Sequence, residues 1–274
     1  MSDIVLSAGV RSNLLQLQQT SNLINTTQTD LATGKKVNSA LDNAISYFTS
    51  AGLSSRANQL SGLLDTMSNG ISTIQAANNG ITSITKLVQS AQALVSQAQQ
   101  ANNTTTQASL ATQFNALLTQ IGQLAGDSGF NGINLLAGNS LTITLDESGT
   151  SSVTVSGVNY SNANNAPLSV VNATNNWAAA ADITAASTAL TAALTTLQSE
   201  SQTLSASLST VQIRQDFTNS MINTLQTGSD NLTLADSNTE GANLLALQTR
   251  QQLSTTALSL ASQSDQNVLR LFQS

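Results

Sequence analysis

Two adjacent carboxylates, Asp146 and Glu147, are the first residues in this chain that could do chemistry. Acid–base catalysis by such a pair needs a positioned group to act upon, and nothing beside them supplies one. They sit in Asp146-Glu147-Ser148-Gly149-Thr150, between two short runs of alternating apolar residues, so a solvated hairpin turn is the plainer reading. The chain has neither Cys nor His. Thiolate nucleophiles, imidazole catalysis, disulfides and most zinc or iron sites are thereby excluded together. Lys35 and Lys36 are adjacent and could hold an anion. In a connector between helices they are better suited to pairing with carboxylates of a neighbour, at about 0–1 kcal/mol per exposed pair. Trp177 and Tyr160 could form a sugar platform, but packing in a core or hairpin is the commoner use of such rings. Ser and Thr residues between 148 and 174 could accept O-linked sugars. No nucleophile–base pair and no metal cluster is available, so neither an enzyme nor a bound cofactor is expected.

Composition narrows the partners. Charged residues are only 8% of the 274, the net charge is −6 and hydrophobic residues are 40%. An ordinary soluble domain carries about 25% charged residues. The polar surface is therefore mostly neutral, which suits dense packing of identical copies. The eight basic residues (Arg11, Lys35, Lys36, Arg56, Lys86, Arg214, Arg250 and Arg270) are scattered, which excludes a phosphate-tracking stripe and hence nucleic acid. No stretch approaches 18 apolar residues, so no membrane insertion is expected, and the N-terminal residues do not resemble a cleaved signal peptide. Export, if it occurs, should use another route.

The elements that position these residues are long helices. Leu190, Leu194, Leu197, Ser201, Leu204, Leu208, Val211, Gln215, Thr218, Ile222 and Leu225 step alternately by four and three. A mean step of 3.5 is a coiled-coil seam. A helix from about Ile183 to Leu225 would be roughly 65 Å long at 1.5 Å per residue, and it demands an equally long partner. That partner spans about Ala44 to Gln100, with Leu53, Leu60, Leu64, Met67, Ile71, Ile74, Ile81, Val88 and Val95 on its seam. Gly52, Gly62, Gly70 and Gly80 lie inside it, each costing up to about 1 kcal/mol relative to Ala, and close helix approach is the expected reason. A shorter helix carrying Leu110, Phe114, Leu117, Ile121 and Leu124 ends near Gly126 and should fold back on the long one.

Weaker seams mark both ends. Val10, Leu14, Leu17, Ile24 and Leu31 lie on a helix from about Ile4 to Thr33, stopped by Gly34. Leu247, Leu258, Ala261, Val268 and Phe272 lie on one from about Glu240 to Phe272. These are too poor in apolar surface to order alone and are expected to be fixed by partners. Residues 34–40 form an extended connector, with Ser39 or Asp42 able to cap the next helix. Gly228 should close the Ile183–Leu225 helix, with Ser229–Thr239 as a second connector. Between the two strongly patterned regions the period becomes two, at Leu141, Ile143 and Leu145 and then Val153 and Val155, which reads as a β-hairpin. Phe130-Asn131-Gly132-Ile133 carries a tight-turn signal. The fold class is mainly α: a long antiparallel coiled-coil or helical-bundle rod with a small β-hairpin insert, its N- and C-terminal helices paired at one end.

This order of elements, and four local strings, resemble bacterial flagellin. The string Leu31-Ala32-Thr33-Gly34-Lys35-Lys36-Val37-Asn38-Ser39-Ala40-Leu41-Asp42-Asn43-Ala44 is similar to the family's first connector. Gly70-Ile71-Ser72 through Ala98 resembles its first long helix, and Phe130-Asn131-Gly132-Ile133-Asn134-Leu135-Leu136 its Phe-Asn-Gly turn. Asp236 with Thr239-Glu240, and Gln266-Asn267-Val268-Leu269, resemble its C-terminal signature; Asp265 stands where the family carries a Pro.

The resemblance implies residues 1–43 and 229–274 as a terminal helical domain forming the inner tube of a filament. It implies 44–139 and 178–228 as a long-helix domain around that tube, and 140–177 as a small variable insert on the outside. The expected subunit interface is Leu14, Leu17, Ile24, Leu31, Lys35, Lys36, Asn38, Asp42, Leu247, Leu258, Val268, Leu269 and Phe272. The expected rod core is Leu60, Leu64, Met67, Ile71, Ile74, Ile81, Phe114, Leu117, Ile121, Leu190, Leu194, Leu197, Leu204, Leu208, Val211, Ile222 and Leu225. The implied function is a secreted structural subunit that polymerises into the flagellar filament after unfolded export by the flagellar type III system. Implied partners are further copies, hook-associated junction and cap proteins, and an export chaperone at the C-terminal helix. Ser90, Gln92 and Ala93 occupy places where many flagellins present Arg and Glu to the vertebrate Toll-like flagellin receptor, which implies weak or absent activation. Without His, the metalloprotease that some flagellins carry in the variable region has no zinc site here. The nearest alternative is a hook–filament junction protein; a trimeric coiled-coil adhesin would need a signal peptide and membrane anchor.

Overall fold

The structure, a computed structural model, describes residues 8–271. The side chains of Asp265 and of residues 268–271 are also outside the described set, so the side-chain expectations at Val268, Leu269 and Phe272 fall outside it. Among the described residues the α-helices are α1 Ala8–Thr33, α2 Ala44–Gln100, α3 Thr104–Asp127, α4 Ala180–Thr233 and α5 Ser237–Leu271. A hairpin of β1 Leu141–Thr144 and β2 Ser152–Val155 lies between α3 and α4 in sequence. By packing the protein divides into two units, Met1–Ser55 with Thr224–Ser274, and Arg56–Asn223. That division falls within α2 and α4 rather than at the connectors.

The unit Arg56–Asn223 has one continuous apolar core. On α2, Leu60, Met67, Ile74, Ile81, Val88 and Val95 are buried, with Leu64 and Ile71 half-buried between them. On α4, Leu190, Leu197, Leu204, Val211 and Ile222 are buried and Leu194 and Leu208 half-buried. One polar residue that interrupts the α4 seam meets one that interrupts the α2 seam, and a second pair bonds beside them. The Ser201 hydroxyl donates to Asn78 Oδ1 at 2.8 Å, and Gln215 Nε2 donates to Ser68 Oγ at 2.9 Å. Paired in this way, the part-buried Ser201 and Asn78 avoid the cost of an unsatisfied polar group in a seam, while the Gln215–Ser68 bond lies in solvent. The falling residue numbers show that α2 and α4 are antiparallel.

Asn103 starts α3, its side chain accepting the Thr105 N–H at 2.8 Å. Phe114 and Ile121 are buried on it and Leu117 is half-buried. The hairpin pairs Leu141 with Val155 and Ile143 with Val153. Leu141, Ile143, Leu145 and Val155 are buried in the same core as α2 and α4, while Thr142 and Thr154 are exposed. Region 140–177 therefore shares this core: Tyr160, Leu168, Val170 and Trp177 are buried in it as well.

The α2 glycines split into two kinds. A Cβ at Gly70 would overlap Ile143 of β1, and one at Gly80 would overlap Ser128 and lie 2.6 Å from Leu136 Cδ1. Close approach is real there, but to the hairpin and the segment after α3, not to another helix. At Gly52 and Gly62 a Cβ would meet nothing within 4 Å, so helix approach does not explain them.

In the other unit α1 packs along α5, burying Val10, Thr20, Ile24 and Thr27. The Thr20 hydroxyl donates to the Gln16 carbonyl at 2.8 Å, which makes it tolerable in that seam. Two expectations are corrected here. Gly228 does not close α4, which continues to Thr233, leaving a connector of only Leu234–Asp236. The reason is tertiary: the Ser229 hydroxyl, buried one residue on, bonds those of Ser50 at 2.7 Å and Ser54 at 2.8 Å. These contacts outweigh a helix penalty of about 1 kcal/mol. Nor do Ser39 or Asp42 cap α2. Asn43 does, its Oδ1 accepting the Ser46 N–H at 3.0 Å.

Candidate functional site

The first connector is tied to the end of α4 by its own backbone. The Lys36 and Val37 N–H groups donate to the Thr233 carbonyl at 2.8 and 3.3 Å, and the Ala235 N–H donates to the Gly34 carbonyl at 3.0 Å. Gly34 takes a left-handed φ of 68°, which lets the backbone leave α1 and make this pairing. Val37 is buried beneath it. Asp42 Oδ2 accepts the Asn38 and Ser39 N–H groups at 2.9 and 2.8 Å, and these bonds hold its carboxyl below the usual carboxylate range. Asn38 Nδ2 donates to Asp30 Oδ1 at 3.0 Å and to the Lys35 carbonyl. Asp30 is raised, first by burial and then by the charges of Glu240 and Asp42.

Asp236 does for α5 what Asn43 does for α2, a role its sequence pattern with Thr239 could have announced. Its Oδ1 accepts the Asn238 N–H at 2.9 Å and its Oδ2 the Thr239 hydroxyl at 3.0 Å, bonds that lower its pKa. Lys35 and Lys36 are exposed, and neither is in an ion pair among the described residues; Lys36 Nζ donates to the Asn231 carbonyl at 3.5 Å.

The sequence-derived interface residues fall mainly along the α1–α5 pairing. Ile24 is buried; Leu17, Leu31, Leu247 and Leu258 are half-buried, and Leu14 is 38% exposed. A second apolar set, which the seam pattern does not pick out, faces outward: Leu15 and Leu23 on α1, and Leu245, Leu253 and Leu260 on α5, the last three 67–68% exposed. Steps of eight and seven keep the α5 leucines on one side of the helix. Leu41, just before α2, and Ile45 and Phe48 at its start are also exposed.

The chemical candidates take structural places. Asp146 accepts the hydroxyls of Ser148 and Thr150 and the Ser151 N–H, an arrangement that folds the hairpin turn and lowers its pKa. Glu147 pairs with Arg56 Nε at 2.5 Å. Trp177 and Phe114 pack with ring centroids 4.9 Å apart and their planes tilted by 51°, both fully buried. Tyr160 is buried, and burial together with the Glu200 charge raises its pKa. Among the described residues no three His, Cys, Asp or Glu side chains gather to hold a metal, and no helix is long and apolar enough to cross a membrane. Ser90 and Ala93 are exposed and Gln92 half-buried on α2.

What the fold presents is a helical structural protein with an apolar surface on its paired terminal helices and no assembled catalytic group among the described residues. Residues 8–140 match the bacterial flagellin N-terminal helical region. The chain is 32% identical to flagellin FljK of Caulobacter vibrioides, over 100% of this chain and 99% of that one. It is 27% identical to a flagellin of Brucella melitensis over the full length of both. It also aligns with the crystal structure of Bacillus cereus flagellin at a TM-score of 0.48 and 21% identity, covering 57% of this chain and 88% of that one. The chain belongs to the bacterial flagellin family. It is thus a structural subunit of the extracellular flagellar filament that drives motility, and not an enzyme.

Proposed function

We propose that the protein is exported unfolded by the flagellar type III system and orders fully only as it joins the filament. The terminal helices then line the inner tube, the long-helix region surrounds them, and the hairpin insert lies on the outside. The exposed leucines of α1 and α5 carry this reading: Leu15, Leu23, Leu245, Leu253 and Leu260 remain in solvent after the two helices have paired. Each is worth about 1.5–3 kcal/mol when fully buried, so contacts with further copies have a large driving force. Leu14, Leu17, Ile24, Leu31, Leu247, Leu258, Val268, Leu269 and Phe272, with Lys35, Lys36, Asn38 and Asp42 in the connector, contribute to the same subunit contacts. Ordering costs are met by association, and heterologous contacts that do not close give an open helix. An export chaperone at the C-terminal helix and the hook-associated junction and cap proteins are the further partners. With Ser90, Gln92 and Ala93 in place of charged residues, activation of the Toll-like flagellin receptor is weak or absent; a reporter-cell response typical of strong agonists would refute that.

Electron microscopy of seeded protein tests the assembly reading. Full-length protein should extend into long filaments, while a truncated form lacking residues 1–33 and 240–274 should stay monomeric yet helical by circular dichroism. Growth that stops at a short ring on existing filaments would favour a hook–filament junction protein instead.

A further inference from the structure

The sequence contains three identical Asn-Gly pairs, at 69–70, 79–80 and 131–132. An Asn-Gly pair can rearrange when the glycine backbone nitrogen reaches the carboxamide carbon of the asparagine. The three sites differ sharply in whether that can happen. Gly70 and Gly80 lie in the middle of α2, where the backbone N–H is spent on the helical hydrogen bond and both glycines are buried. Their Cα atoms are moreover clamped under Ile143 and under Ser128 with Leu136. Asn131-Gly132 is the tip of a two-residue turn. Phe130 and Ile133 exchange both backbone hydrogen bonds, at 2.9 and 3.0 Å, with Asn131 at φ 48° and Gly132 at φ 79°. Both tip residues are exposed, and nothing lies within 4 Å of where a Cβ of Gly132 would be.

We propose that Asn131 is a site of spontaneous deamidation, and that the fold protects the other two pairs. The deprotonated Gly132 nitrogen attacks Asn131 Cγ; a C–N bond forms, the carboxamide C–N bond breaks, and the nitrogen leaves as ammonia after taking up a proton. The resulting five-membered succinimide is opened by water at either carbonyl. The product is an aspartyl or, by attack at the other carbonyl, an isoaspartyl residue, and nothing is oxidised or reduced. The isoaspartyl form adds a methylene to the backbone of the turn and cannot keep both Phe130–Ile133 bonds. The next residues then lose their anchor. Asn134 Nδ2 donates to the Ala125 and Gly126 carbonyls at 2.8 Å each, closing the end of α3, and Leu135 and Leu136 behind it are fully buried. Conversion thus gives the subunit one extra negative charge and loosens the link between α3 and β1, a clock for the age of a subunit outside the cell.

The test incubates folded full-length protein in mildly alkaline buffer and maps all three sites by peptide mass spectrometry, with methyl transfer to isoaspartyl carboxylates as a second readout. Position 131 should convert at least about tenfold faster than 69 and 79, because the helical sites react only through local opening. In denaturant the three rates should become similar, and Asn131→Gln should remove the early charge change seen by isoelectric focusing. Equal rates at the three sites in the folded protein, or faster conversion in α2, would overturn the proposal.

Discussion

Replacing Gly62 and Gly80 separately by Ala puts the same chemical change at two points of one helix and should give opposite signs. Both lie in α2 within the unit Arg56–Asn223. At Gly62 a new Cβ meets nothing within 4 Å. Only backbone entropy and helix propensity change there, so Gly62→Ala should stabilise by about 0.5–1 kcal/mol. At Gly80 the same gain is opposed by overlap with Ser128 and by approaches of 2.6 Å to Leu136 Cδ1 and 2.7 Å to Ser128 Cβ. Ser128 cannot yield freely, because its hydroxyl donates to the Leu124 carbonyl at the end of α3. Overpacking of this kind costs about 1–3 kcal/mol, which leaves a net loss of about 0–2.5 kcal/mol after the propensity gain. The two variants should therefore differ by about 1–3 kcal/mol. Urea unfolding of the unpolymerised protein, followed by far-ultraviolet circular dichroism, reads both midpoints, and the slope must stay constant for the comparison to hold. An equal gain from both substitutions would refute the packing argument, since it would mean that Gly80 is no closer to its neighbours than Gly62.

Two further outcomes concern the core and the connectors. Phe114→Ala should cost about 3–5 kcal/mol and abolish the near-ultraviolet signal of the single tryptophan, since the Phe114 ring is fully buried against Trp177; a variant as stable as the parent would remove this pair from the core. The carboxyls of the terminal unit should split by sign. Asp42 is depressed, so its contribution is present above the ordinary value of 3.8 and is lost as pH falls through the folded value. Asp30 is raised, so its contribution is full below 3.8 and is lost as pH rises through the folded value. Asp42→Asn should then lower, and Asp30→Asn raise, the unfolding midpoint at neutral pH, with both differences shrinking in acid; shifts of the same sign would show that the connector bonds are misread.

The helices were legible because their information is local. Leu190 to Leu225 and Leu53 to Val95 repeat at 3.5 residues, and burial follows that repeat position by position. The bounds Ala44 and Gln100 of α2 could be read from the connector before it and the Asn-rich turn after it. The hairpin was equally readable, since alternation at Leu141, Ile143 and Leu145 is its own signature. The family itself could be recognised from strings such as Leu31–Ala44. What could not be read is whatever depends on a partner distant in sequence. Gly228 carries the local mark of a helix end, yet the bonds of Ser50 and Ser54 to Ser229 carry α4 past it. Four glycines in α2 look alike in the sequence, and only the packing of β1 and the turn after α3 separates Gly70 and Gly80 from Gly52 and Gly62. The seam of α1 is visible as a pattern, but whether a leucine meets α5 or is left facing outward is a matter of rotation about the helix axis. Local propensity determined which segments are helices and strands; side chains brought together from far along the sequence decided where those elements end and which of their faces remain for other molecules.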